Sequence, residues 1–267
     1  MVMKDTQIQD IENKILDSIK KVAKDKSVII GLSGGIDSSI VCALAVKALG
    51  KERVKVLTVK NSRYSAEGLA MARELAKGYG LEIHEVNSEI LSKQAIGALG
   101  IDPENVLESS TLDARICDIM IKTVASKENR IYLGTINGTE RLTGWYPKGD
   151  LVGDFCPIGG LLKEQERELA NHMGLGYLNE TISSDAAKVC SGCGELPEFK
   201  GIPYEVLDKI LLIYEISRGD ELAGSLRGSG IKKDVYSKII NRVMFADHKN
   251  DVFPDYCKIN FPGGVKR

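Results

Sequence analysis

The run Ser27-Val28-Ile29-Ile30-Gly31-Leu32 passes directly into Ser33-Gly34-Gly35-Ile36-Asp37-Ser38-Ser39, and apolar residues then recur at helical spacing through Ile40, Leu44 and Ala48. A short β-branched run reads as a strand, the paired glycines as a tight turn, and Asp37 to Leu49 as a helix. A strand joined to a helix by so short a loop must lay that helix back on a sheet face. The same grammar recurs downstream. Val54 to Val59 reads as a strand, Ser65 to Tyr79 as a helix, Glu82 to Val86 as a third strand, 110–127 as helical and Arg130 to Gly134 as a fourth strand. Before the first strand, Ile8, Ile11, Ile15, Ile19 and Val22 mark one face of a helix over 8–24, and Tyr204 to His248 has helical spacing without a strand. Strands alternating with helices predict an α/β fold: a parallel twisted sheet with helices on both faces, followed by a helical C-terminal region. Ligands in such sheets bind beyond the carboxyl ends of the strands. No repeat, low-complexity stretch or long linker interrupts the pattern, so residues 1–267 read as one domain.

Composition narrows the function classes. With 43% hydrophobic and 27% charged residues among 267, the chain has the balance of a folded globular protein. Its 36 Lys+Arg against 37 Asp+Glu leave a charge of −1, so no overall positive field exists to hold a nucleic acid. No apolar run reaches the roughly 18–20 residues that span a bilayer. The start, Met1 to Lys21, alternates charged and apolar residues and lacks the apolar stretch of a signal peptide. The six cysteines are scattered, as in chains kept reduced, and the expected location is the cytoplasm.

The loop at 33–39 carries the strongest chemical signal. Adjacent glycines let backbone N–H groups converge on an anion, and a helix N-terminus adds partial positive charge, so phosphate is its natural ligand. The loop lacks the Gly-Lys-Ser/Thr ending of a Walker A motif and is a different phosphate loop. A carboxylate inside it is unfavourable beside phosphate unless a cation intervenes, which makes Asp37 a candidate Mg²⁺ ligand.

On these residues the chain resembles the PP-loop ATP pyrophosphatases, whose fold is adenine nucleotide alpha hydrolase-like and whose members cleave ATP to AMP and pyrophosphate. Beyond the fourth strand come Gly134-Thr135-Ile136-Asn137-Gly138-Thr139-Glu140, Gly144-Trp145-Tyr146-Pro147-Lys148-Gly149-Asp150, Asp154, and Pro157-Ile158-Gly159-Gly160-Leu161-Leu162-Lys163. In order and spacing these are similar to the central signature of the ammonia-dependent NAD synthetases, and Asp113-Ala114-Arg115-Ile116 and His248-Lys249 extend the likeness from about Gly31 to Lys249. The resemblance implies catalytic roles for Asp37, Glu140 and Lys163, with Asp37 and Glu140 as Mg²⁺ ligands. It implies ATP binding by Gly31, Leu32, Ser33, Gly34, Gly35, Ile36, Asp37, Ser38, Thr135 and Lys163. Arg115, Lys148, Asp154, His248 and Lys249 would hold nicotinic acid adenine dinucleotide. The implied reaction is adenylation of the nicotinate carboxylate followed by attack of free ammonia, since the chain has no room for a glutaminase domain, and the implied assembly is a homodimer.

The chain departs from the family in four places, one of them Asn250 for the usual arginine after His248-Lys249. Between Gly144 and Gly149, Pro147 stands for the usual threonine and one position is missing; Ile116-Cys117-Asp118 replaces the usual continuation after Arg115; and Ser183 to Glu195 replaces a Pro-Thr/Ser-Ala segment and a Gly-Gln-Thr-Asp-Glu loop. Cys190 and Cys193 in that last segment are compatible with a zinc half-site, a redox pair or a sulfur carrier. They define an alternative in which a paralogue adenylates another acid or transfers sulfur. A silent nucleotide-binding module is disfavoured because Asp37, Glu140 and Lys163 are all present.

Overall fold

The computed structural model describes residues 3–61, 64–180, 199, 201–217 and 219–259. Strands β1 (Val28–Gly31), β2 (Val54–Lys60), β3 (Ile83–Asn87) and β4 (Ile131–Leu133) form one sheet in the order β3-β2-β1-β4. Every pairing is parallel, with Val28 opposite Val54 and Ile131, and Val56 opposite Ile83. Parallel neighbours need crossovers, and helices supply them. Helix α1 (Asp5–Ala23) precedes β1; α2 (Ile36–Leu49) links β1 to β2, α3 (Ala66–Gly78) links β2 to β3, and α4 (Glu89–Leu99) with α5 (Val106–Lys127) links β3 to β4.

The strand alternation sorts the core. Val28 and Ile30 pack with Ile15, Ile19, Ile40 and Leu44 of α1 and α2, whereas Ile29 and Leu57 on the other face pack with Ile121 and Ala125 of α5. The central strands are thereby covered on both faces, as a parallel sheet requires. After β4 come α6 (Gly138–Thr143) and α7 (Lys163–His172), and then, over the stretch expected to be helical, α8 (Tyr204–Ile216), α9 (Gly219–Gly228) and α10 (Lys233–Asn250). Leu142, Leu162, Leu207, Ile210, Leu211, Ile239 and Val243 form a second core among them. No helix of the described residues is long and apolar enough to cross a membrane.

Three helices are not evident from periodicity. Helix α6 is one and a half turns long. Helix α7, Lys-Glu-Gln-Glu-Arg-Glu-Leu-Ala-Asn-His, buries Lys163, Gln165 and Glu166 beside Leu169 and Ala170, so its inward face is largely polar. Helix α4 leaves Ile90, Leu91 and Leu99 exposed, and its apolar residues mark no buried stripe.

Strand order locates the crevice. From β1 the chain moves to β2 on one side, and from β3 it crosses back to β4 on the other. The segments leaving β1 and β4 therefore part company at their carboxyl ends, which is where open α/β sheets bind ligands. Ile40 is fully buried and Met244 is 65% exposed. Ile40→Ala should cost about 2–5 kcal/mol in urea unfolding and Met244→Ala no more than about 0.5 kcal/mol.

Candidate active site

The segment leaving β1 is locked before it reaches its helix. Leu32 N donates to Leu57 O at 2.9 Å, continuing the ladder, and Thr58 Oγ1 donates to Leu32 O at 2.6 Å. Gly34 has φ +82°, and a Cβ there would lie 2.0 Å from Gly68 O at the start of α3, so only glycine fits both the backbone and the space. Tyr64 O–H donates to Ser33 O at 2.5 Å. Burial, reinforced by Cys117 and Glu85, raises that phenol and keeps its proton. Within the loop, Ser33 N donates to Ser38 Oγ at 3.1 Å and Ser38 Oγ donates to Gly35 O at 3.1 Å. Gly35 is the N-cap of α2 and has no side chain to cap it. The helix thus presents first-turn amides suited to an anion.

Asp37 in that first turn meets the segment leaving β4. Asn137 Nδ2 donates to Asp37 Oδ1 at 2.6 Å, and Asn137 N donates to Glu140 Oε2 at 2.9 Å. Asn137 is also the N-cap of α6, its side chain accepting from Glu140 N at 2.9 Å. One asparagine therefore touches both candidate carboxylates. Lys163 at the start of α7 donates to Asp37 Oδ1 and Oδ2 at 2.9 and 2.8 Å. Burial pushes the Asp37 carboxyl up, but the Lys163 charge and the bonds from Lys163 and Asn137 outweigh it and hold it below its usual value. Glu166, one turn further along α7, is fully buried, 3.2 Å from Lys163 Nζ and beside Asp37. Burial and the Asp37 charge push its carboxyl well above the usual range, against the pull of Lys163.

The backbone of Lys163 is held as firmly as its side chain. Lys163 N donates to Thr139 Oγ1 at 2.9 Å, Thr139 Oγ1 donates to Asp208 Oδ1 at 2.7 Å, and Glu164 N donates to Asp208 Oδ2 at 2.7 Å. Burial raises the Asp208 carboxyl to about 6, moderated by the bonds from Glu164 N and Thr139. Gly138 allows the close approach: its N donates to Leu161 O at 2.5 Å, and a Cβ would lie 2.7 Å from that oxygen.

The structure thus brings Gly31 to Ser38, Glu140 and Lys163 together, with Thr135 following β4 on the same side of the sheet. The residues expected to hold a second substrate lie on α5, on α10 and in the segment 148–154. Arg115 on α5 pairs with Asp150 at 3.1 Å and borders a concavity of about 410 Å³ lined also by Leu99, Ile101, Leu107 and Leu112. Lys148 is exposed. Asp154 Oδ2 accepts from Tyr132 N of the edge strand at 2.9 Å. Lys249 on α10 donates to Gly144 O and Tyr146 O, both at 2.7 Å, and burial together with Arg242 and Arg115 lowers its pKa. His248 is exposed, with Nδ1 2.8 Å from Phe245 O. Cys190 and Cys193 lie outside the described residues. Sequence reasoning missed Asn137, Glu166, Thr139 and Asp208 as members of the site. Asn137 and Thr139 stand inside the quoted motif, whereas nothing local distinguishes Glu166 or Asp208.

The donor set fits a hard divalent cation. Among the described residues no group of three or more His, Cys, Asp or Glu side chains could hold a metal alone. Mg²⁺ is usually held by one or two carboxylates with substrate phosphates completing its shell. The Lys163 ammonium already spans both oxygens of Asp37, so this carboxylate has a built place for positive charge.

Comparison with known proteins gives the family and the fold. The family model described as NAD synthase matches residues 7–252. The NH(3)-dependent NAD(+) synthetase of Pelodictyon phaeoclathratiforme is 31% identical over 258 residues, 95% of this chain and 89% of that protein. Its namesake in Methanosarcina mazei is 32% identical over 254 residues, 92% of this chain and 97% of that one. The fold is shared with an NMN synthetase from Francisella tularensis (TM-score 0.70, 19% identity, 96% and 98% of the two chains). It is shared also with an NH3-dependent NAD synthetase from Campylobacter jejuni solved with nitrate (TM-score 0.69, 24% identity, 97% and 99%).

Because the folded Asp208 carboxyl titrates near 6 against a reference of 3.8, its contribution to stability is full below the lower value and is lost as pH rises through the upper one. The stability of the native protein relative to Asp208→Asn, followed by urea titration, should fall by about 2 kcal/mol between pH 4 and pH 7. Gly34→Ala should weaken ATP binding at least about tenfold in calorimetry, because the loop must leave its seat on α3.

Proposed function

The chain belongs to the NAD synthase family, ligases that form a carbon–nitrogen bond, and on that premise we propose how its site makes NAD⁺ with ammonia. The observation that carries the reading is the meeting of Asp37, Lys163 and Glu140 around Asn137 at the carboxyl ends of β1 and β4. ATP lies with its phosphates on the amides of residues 33–38 and its charge countered by Lys163. The nicotinate carboxylate of nicotinic acid adenine dinucleotide attacks the α-phosphorus, a P–O bond forms, and the bond to pyrophosphate breaks. Ammonia then adds to the acyl carbon, loses a proton, and expels AMP with the former carboxylate oxygen. A carboxylate in water resists ammonia because oxide is a poor leaving group, and adenylation replaces it with a phosphate ester.

The protein works by positioning and charge neutralisation. Lys163, freed from Asp37, neutralises charge that builds on the departing pyrophosphate, and the helix N-terminus adds fixed partial charges that need no reorganisation. Asp37 and Glu140 would hold Mg²⁺, which supplies further positive charge to the phosphate oxygens when bound. Thr135 completes the ATP site, and Arg115, Lys148, Asp154, His248 and Lys249 border the dinucleotide. Arg115, beside the concavity of α4 and α5 that Glu108 and Thr111 also line, carries the guanidinium that suits an anionic substrate. Lys249 and Asp154 act through the backbone they hold.

The chain works as one unit over 1–267 and pairs as a homodimer through α4 and α5, where Ile90, Leu99 and Leu107 are 74%, 66% and 54% exposed. That pairing places Arg115 near a subunit boundary. The protein resides in the cytoplasm, binds neither nucleic acid nor membrane, and keeps its described cysteines as free thiols. Sulfur transfer is not favoured, since the curated relatives named above are ammonia-dependent synthetases.

Purified protein given Mg-ATP, ammonium and nicotinic acid adenine dinucleotide should form NAD⁺, AMP and pyrophosphate in equal amounts by chromatography. Release of ADP, or equal turnover with the acid mononucleotide, would overturn the assignment. Lys163→Gln and Asp37→Ala should each lower pyrophosphate release about 10²–10³-fold.

A further inference from the structure

Helix α7 begins badly by its own sequence. Its N-cap is Leu162, which has no side-chain oxygen, yet the first amides are buried and need acceptors. Gln165 Oε1 accepts from Leu162 N at 2.9 Å, which is a local solution. The next two amides are satisfied from other helices: Lys163 N by Thr139 of α6 and Glu164 N by Asp208 of α8. Asp208 also accepts the Thr139 hydroxyl proton, so one carboxylate joins three helices at the residue whose ammonium reaches Asp37. Thr139 is the neighbour of Glu140, and its hydroxyl therefore ties both sides of the cleft.

We infer that Asp208 and Thr139 are positioning residues for Lys163, a relay that caps α7 from outside and sets where the lysine stands relative to Glu140 and the phosphate loop. The inference rests on the role proposed above for Lys163. Asp208 is 5% exposed, Thr139 and Lys163 are 1% and 3%, so water cannot substitute for a missing member. A carboxyl group has two oxygens, which lets Asp208 accept from the Thr139 hydroxyl and the Glu164 amide at once. Asp208 touches no phosphate in this arrangement; it acts through Thr139 and the α7 backbone.

Removing the Thr139 hydroxyl at constant volume unties Lys163 N and loosens the turn from which its side chain reaches the cleft. With every variant assayed about 20 °C below its own melting midpoint, and its fold checked by near-ultraviolet circular dichroism, Thr139→Val should lower kcat for pyrophosphate release about tenfold or more. The KM for the dinucleotide should stay within about twofold, and Thr139→Ser should recover most of the rate. Asp208→Asn tests the same relay from its far end and serves if Thr139→Val does not fold. The deciding measurement is the double variant with Lys163→Gln: if the relay works through Lys163, adding Thr139→Val or Asp208→Asn changes kcat little further. Losses that multiply, or a folded Thr139→Val with native kcat, would overturn the inference. A Lys163→Gln enzyme of native rate would instead remove the proposed role of Lys163, and the relay would then have nothing to position.

Discussion

A buried ammonium needs a partner, and in this protein that requirement, set by Lys163, organises the cleft. Asp37 sits at the first turn of α2, where the phosphate loop ends, and Lys163 spans both of its oxygens. The pair draws α7 against α2, and Asn137 brings in the segment leaving β4. Removing the partner of a buried charge is typically costly, about 3–5 kcal/mol, because that charge is stranded, as Lys163 would be without Asp37. The same two residues are those best placed to meet a nucleotide, so packing and chemistry put opposing demands on them. In the arrangement described, Lys163 is committed to Asp37; with phosphate in the cleft it has a second anion to face. Glu166 beside them adds little negative charge, because burial and the Asp37 charge disfavour its ionised form.

The sheet, its crossovers and the phosphate loop were legible because they depend on local pattern: β-branched runs, glycine pairs and 3.6-residue spacing. The order of strands was not written in any one segment, and neither was α7, whose buried face carries Lys163, Gln165 and Glu166 where an apolar stripe would be expected. Asp37, Glu140 and Lys163 were legible through their motifs, and the structure gathers them. Asp208 was not, since its meaning lies in contacts with Thr139 and Glu164, 69 and 44 residues away. Lys249 comes from its motif as an expected substrate contact, and the structure adds that its ammonium bonds two carbonyls of the 144–146 turn.

Those carbonyls also show how the C-terminal helices serve the site. Arg242 Nε donates to Thr143 O at 2.7 Å, so α10 grips the exit of α6 through both a guanidinium and an ammonium. Three carbonyls at the helix end, which have no further turn to pair with, thereby find cationic donors. Asn137 secures the entry of α6 and α10 its exit, and Glu140 lies between two fixed ends.

The Asp37–Lys163 contact closes a loop of 126 residues, and Asn137 reaches Asp37 across 100. Closing such loops costs entropy before any reward is collected, and topologies of this kind fold slowly compared with helical bundles. During synthesis the phosphate loop leaves the ribosome long before its lysine exists. At roughly 5–20 residues per second the nascent chain carries Asp37 uncompensated for several seconds or more. Over that interval the half-made sheet can pair its strands and pack α1 and α2, but the nucleotide site is not yet a site. Competence to bind is thus one of the last properties the chain acquires, and it arrives together with the closing of the fold.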